Sequence, residues 1–148
     1  MGIFDWRNPK NRKKNRTITV ECNPNEVRIN GIEISFPTNY GELIGVLGKA
    51  SRIEPIKQSN NEVYLWDEHG IYCSTNDPEK MLMVLFVEDN RYGLGHEPKQ
   101  NYTGAILIDG APIETNIDNV GLDRPYMLRS IIKDDKQVAV ALGWNPSV

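Results

Sequence analysis

"MLMVLFV", residues Met81–Val87, is the longest apolar run in the chain. Seven residues fall far short of the roughly 20 that a membrane-crossing helix needs. A short run that is apolar on both faces reads as a central strand. Glu79 and Lys80 before it, and Glu88 and Asp89 after it, flank it as charged gatekeepers.

The segments around this run read mostly as strands and turns. "TITVEC" (17–22) alternates, and "EVRINGIEISF" (26–36) carries Asn30-Gly31 at its centre. Asn-Gly supplies the two positive-φ residues of a type I′ hairpin turn. "NEVYLWDEHGIYCST" (61–75) reads as a second hairpin, turning at Asp67–Gly70. Alternation puts Val63, Leu65, Ile71 and Cys73 on one face, and Tyr64, Trp66 and Tyr72 on the other. "YTGAILIDGAPI" (102–113) is a further strand and turn. "VRINGIEI" (27–34) and "ILIDGAPI" (106–113) echo one another, as two hairpins of one sheet would. "YMLRSIIKDDKQVAVALGW" (126–144) reads as a last hairpin, with a helix over Tyr126–Ile132 as the alternative.

One helix is clear. Tyr40, Leu43, Ile44 and Leu47 form a single apolar stripe. Asn39 can cap it, with Glu42 three residues on, and Gly48 is placed to end it. These elements predict an α+β domain over residues 17–148. Its expected form is a single, mainly antiparallel sheet of hairpins, about six to nine strands, with one or two helices packed on a face.

Residues 1–16 read as a flexible basic leader. Six Lys/Arg stand there against Asp5 alone, giving +5, while the rest carries 11 Lys/Arg against 19 Asp/Glu, giving −8. The run Asn8–Arg16 has no apolar residue with which to offset its ordering entropy. Ile3, Phe4 and Trp6 before it either dock on the body or make a weak membrane or partner contact. No apolar segment of signal-peptide length is present, so a cytoplasmic location is expected. Two cysteines are too few for a disulfide framework.

Motifs for chemistry fail at decisive positions. "HEPKQ" (96–100) opens like a zinc-protease helix, but its second histidine is Gln100 and Pro98 breaks the helix. "GLGHEP" (93–98) lacks the third glycine of a dinucleotide fingerprint. "NIDNVGLD" (116–123) resembles a calcium loop, but Val120 stands at its fifth position and Met127 where the closing Glu belongs. Cys73 and His69 could make a nucleophile and base. Alternation instead sends Cys73 into the core and His69 into water, and a thiol in apolar surroundings is inert. No catalytic residue, cofactor or metal site is expected. The aromatic face of the 61–75 hairpin has no interleaved Lys/Arg and carries Asp67 and Glu68, so no nucleic-acid partner is expected either.

Two stretches carry a resemblance. "MGIFDW" followed by "KNRKKN" is similar to the start of many small bacterial proteins encoded beside polymorphic toxins. "ELIGVLGKASRI…NEVYLWDEHGIYC" (42–73) resembles an uncharacterised bacterial domain in which a short helix ends in Leu-Gly before a Tyr-x-Trp-Asp-x-x-Gly-Ile hairpin. That order is also similar to the repeat unit of β-lactamase-inhibitor-like folds. The resemblance implies an immunity protein of a polymorphic or type VI toxin system, one that binds a cognate toxin and blocks it. An acidic body suits capture of a basic surface, with exposed aromatics as anchors. The alternatives are an interaction module of a bacterial assembly and a small enzyme with a dispersed site. The expected contact surface is the hairpin tip, Tyr64, Trp66, Asp67, Glu68 and His69, together with the long polar loop bearing Asn90, Arg91, Tyr92 and Glu97. The sequence sets no oligomeric state.

Overall fold

The computed structural model describes residues 17–92, 95–113 and 123–146. The leader 1–16 and most of the calcium-like stretch 116–123 lie outside the described residues, as do Gly93 and Leu94.

Among the described residues, eleven strands and one helix follow in order: β1 (Val20–Cys22), β2 (Val27–Ile29), β3 (Ile32–Ile34), α1 (Tyr40–Leu47), β4 (Arg52–Pro55), β5 (Glu62–Trp66), β6 (Ile71–Thr75), β7 (Met83–Val87), β8 (Ile106–Ile108), β9 (Ala111–Pro112), β10 (Tyr126–Lys133) and β11 (Lys136–Trp144). They form two sheets, ordered β3-β2-β1-β8-β9 and β10-β11-β7-β6-β5-β4. The expectation of a single α+β sheet is therefore overturned. The described residues are mostly β, 44% strand against 7% helix. Two residue-level reasons account for this. Tyr126–Ile132, open between strand and helix, is a strand paired with β11 along its whole length. β1 pairs with the distant β8 in parallel, Val20 opposite Ile106, which draws the two echoed hairpins into a sheet of their own.

Both echoed hairpins turn as their sequences require. Asn30 and Gly31 have φ of 52° and 79°, and Asp109 and Gly110 have 52° and 86°, the type I′ pattern. In the helix, Glu42 N–H donates to the Asn39 side chain at 2.8 Å, and Gly48 N–H closes the end on the Ile44 carbonyl at 2.9 Å. Leu43, Val46 and Leu47 are buried, so the inward face turns toward Val46 and leaves Ile44 only partly covered.

One core joins the sheets and the helix. Val20, Val27 and Ile29 of the first sheet meet Trp66, Phe86 and Leu142 of the second, with Leu43 of α1. Of the run Met81–Val87, the part Met83–Val87 is β7, near the middle of the six-stranded sheet between β11 and β6, while Met81 bridges to Thr38. The Tyr126 hydroxyl, from β10, donates to the Asn23 carbonyl just beyond β1 at 2.6 Å. Beside it Arg124 pairs with Asp109 at 2.9 Å. The Tyr102 hydroxyl donates to the Ile18 carbonyl at 2.5 Å. Gly70, with φ 71°, closes the β5–β6 turn where a Cβ would strike the backbone of Tyr102. Each of these contacts fixes a loop against a sheet.

Candidate functional site

The β5–β6 hairpin forms where expected, but its faces are not those of simple alternation. Trp66 stands opposite Ile71, Leu65 opposite Tyr72 and Tyr64 opposite Cys73. Opposed residues share a face. The four-residue turn thus shifts the alternation by one, and Tyr64 and Trp66 join Ile71 and Cys73 in the core. Tyr64 is 4% exposed and Trp66 2%. The Tyr40 ring lies 4.8 Å from that of Tyr64, and the Trp66 indole N–H donates to the Gly48 carbonyl at 2.8 Å. Neither is available as an anchor for a partner.

Asp67 is also buried, and it is fully engaged. Arg52 donates from Nε to Oδ2 at 2.9 Å and from Nη2 to Oδ1 at 3.1 Å. The Lys99 N–H reaches Oδ1 at 3.0 Å. Burial pushes this carboxyl up, but the Arg52 pair and the Lys99 N–H outweigh it and hold the group below its ordinary value. Glu68 is exposed at the tip. His69 is half-buried rather than free in water, because it lines a cleft with Val46, Leu47 and Ile18. Burial lowers its pKa, against the pull of Glu68. Cys73 is fully buried, and desolvation pushes its thiol up to about 12.

The loop after β7 is tied down by its own residues. The Asn90 amide donates to the carbonyls of Pro98 and Lys99 at 2.9 and 3.2 Å. Arg91 pairs with the buried Asp89 at 2.8 Å, as does Lys136, which also stands 5.8 Å over the Tyr92 ring. The Glu97 carbonyl accepts from Arg52 Nη2 at 3.1 Å. Arg52 thus brings the two expected contact regions together, hairpin tip and loop, as a scaffold rather than an open surface. Of the nine expected contact residues, Glu68 and Arg91 are exposed.

The surface that stands open lies elsewhere, on the outer face of the six-stranded sheet. Near β4 that face is covered, since Val63, Leu65, Tyr72 and Val87 pack there with Ile56 and Leu85. Toward β10 a groove of about 280 Å³ is lined by Met83, Met127, Arg129, Ala141, Gly143, Trp144 and Pro146. Met83 is 45% exposed and Trp144 42%. A Cβ on Gly143 would collide with the Leu82 carbonyl, so no side chain rises from the floor there. Sequence reasoning missed these residues. A signal was present once Tyr126–Lys133 is read as a strand, for Met127, Arg129 and Ile131 then share one face, an arginine between apolar residues.

A family model described as a domain of unknown function (DUF7738) matches residues 19–123. That is well over half of the chain, which belongs to this family. No curated protein and no solved structure matches it. The match spans the first sheet, α1 and β4–β7, and ends before the β10–β11 hairpin that contributes most of the groove.

Proposed function

We propose that this DUF7738 member is a binding protein of the immunity class, which captures a cognate bacterial toxin in the cytoplasm and blocks it without catalysis. The observation that carries the reading is the groove beside Met83, Met127 and Trp144. Exposed methionine and tryptophan grouped on one face of a sheet is the composition of a protein-binding face. Aromatic side chains in such settings supply a large share of binding energy. The acidic body supports the reading further, because it speeds encounter with a basic partner such as a nuclease. The immunity role is supported by the leader's resemblance to proteins encoded beside toxins and by the resemblance of residues 42–73 to an uncharacterised bacterial domain.

The test is co-expression with the product of the neighbouring gene, assayed for toxicity alone and together with this protein. Rescue of growth, with a stable complex of the two proteins on size exclusion, is the expected result. Continued toxicity with no complex would remove the reading. Trp144→Ala should weaken the complex chiefly by faster dissociation, while Trp66 variants should act only through stability.

A further inference from the structure

The open groove is built by three strands whose registers are fixed. Met83 stands opposite Gly143, Gly143 opposite Met127, and Ala141 opposite Arg129. Trp144 and Pro146 complete the lining. Every lining residue but one is apolar. The exception, Arg129, is exposed, and no described residue pairs with its guanidinium. A guanidinium presents a planar fork that matches a carboxylate through two parallel hydrogen bonds. Methionine side chains beside it adapt to irregular apolar shapes.

We infer that this groove receives a short segment of a partner protein bearing an Asp or Glu immediately beside a bulky apolar side chain. The carboxylate docks on Arg129, and the apolar group enters between Met83, Met127 and Trp144. The inference rests on the protein-binding reading above, though not on the partner being a toxin. Two observations choose this occupant. The groove, about 280 Å³, is smaller than the usual small-molecule cleft and lies open on the outer face of the sheet, so it suits one or two side chains of a larger body. Arg129 is moreover the one cation in the groove's lining, on a body whose residues 17–148 carry −8. That field repels a broadly acidic partner, so a carboxylate set in a neutral or basic surface is the anion that reaches it.

The probe is a phage-displayed random-peptide library selected on the full chain. Enriched peptides are then synthesised and titrated against wild type, Arg129→Ala and Arg129→Glu. Enriched sequences should pair Asp or Glu with a neighbouring Leu, Phe, Trp or Met. Arg129→Ala should weaken them about tenfold or more, and Arg129→Glu should abolish binding. Failure to enrich any peptide, enrichment of peptides without a carboxylate, or equal binding to Arg129→Glu would overturn the inference. So would sedimentation showing a wild-type dimer that Trp144→Asp dissociates, since the occupant would then be a second copy. The two readings fail separately. A toxin neutralised equally well by Arg129→Glu removes the groove and leaves the immunity role, whereas Arg129-dependent peptide binding without neutralisation does the reverse.

Discussion

The indole N–H of Trp66 donates to the carbonyl of Gly48 at 2.8 Å, joining the turn end of β5 to the residue that ends the helix. The ring is almost wholly buried, so the bond and the packing can be separated by substitution. Trp66→Phe keeps most of the bulk and leaves the carbonyl unpaired, and it should cost roughly 1–3 kcal/mol. Trp66→Ala should cost about 3–5 kcal/mol. Urea denaturation would measure both, and a change below about 0.5 kcal/mol for the alanine variant would contradict the burial described.

Arg52 and Asp67 hold the loop 95–101 to the sheet. Asp67→Ala should destabilise the fold by roughly 1–3 kcal/mol, because it orphans the Lys99 N–H and removes two hydrogen bonds from the half-buried Arg52 guanidinium, which keeps Glu54 and the Glu97 carbonyl. It should also raise hydrogen exchange in residues 98–101 more than in β6 or β7. Uniform exchange across these segments would show that the pair does not secure the loop.

Asp89 sits between Arg91 and Lys136 and donates nothing back. Hydrogen bonds from Arg91 and then Lys136 hold its carboxyl far below the ordinary value, against a smaller upward push from burial. A folded-state pKa below the unfolded one means that the stabilisation is complete above about pH 4 and fades as pH falls further. Melting temperature should therefore drop through that acidic range, and the drop should be shallower in Asp89→Asn. Parallel curves for the two proteins would show that other carboxylates govern the acid limb.

The β10–β11 turn uses Asp134 and Asp135 at φ of 53° and 62°. The other two type I′ turns place glycine at the second position, which accepts this conformation without a Cβ penalty. Asp135→Gly should therefore stabilise the protein by about 0.5–1 kcal/mol, read as a rise in the urea midpoint at constant slope. A fall would mean that the Asp135 side chain contributes more than its backbone strain costs.

Both thiols are enclosed. Desolvation pushes Cys22 and Cys73 to about 12, with the Arg124 charge pulling Cys22 down and the Met83 backbone pulling Cys73 down to a lesser degree. Labelling by an aromatic disulfide reagent at neutral pH should be slow in the native protein and fast in urea. Rapid native labelling would place a thiol at the surface.

Local patterns in the sequence are legible where they act over a few residues. Asn30-Gly31, Asp109-Gly110, the Asn39 cap and the Gly48 stop all do what their chemistry requires. What escaped were relations over distance. The parallel pairing of Val20 with Ile106 has no local mark, so two sheets were read as one. Unbroken alternation points Tyr64 and Trp66 outward, but the four-residue turn shifts the alternation by one. Leu85 lies on the outer face, only partly covered, although its run is apolar throughout. Arg52 gives no sign in sequence that it will bridge Asp67 and Glu97. Trp144 and Arg129 become conspicuous only once β7, β11 and β10 are known to be neighbours.

The parallel pairing of β1 with β8 also has a bearing on how the chain reaches its native state. During synthesis β1 emerges early with β2 and β3, while its other neighbour follows only after α1 and β4–β7 have been made. Until then one side of β1 presents unpaired backbone groups, a template for unwanted strand addition. Closing this contact spans most of the chain, and pairings of such separation slow folding. The N-terminal hairpin is thus the place where a nascent chain would first mispair, and where a chaperone would have the longest time to act.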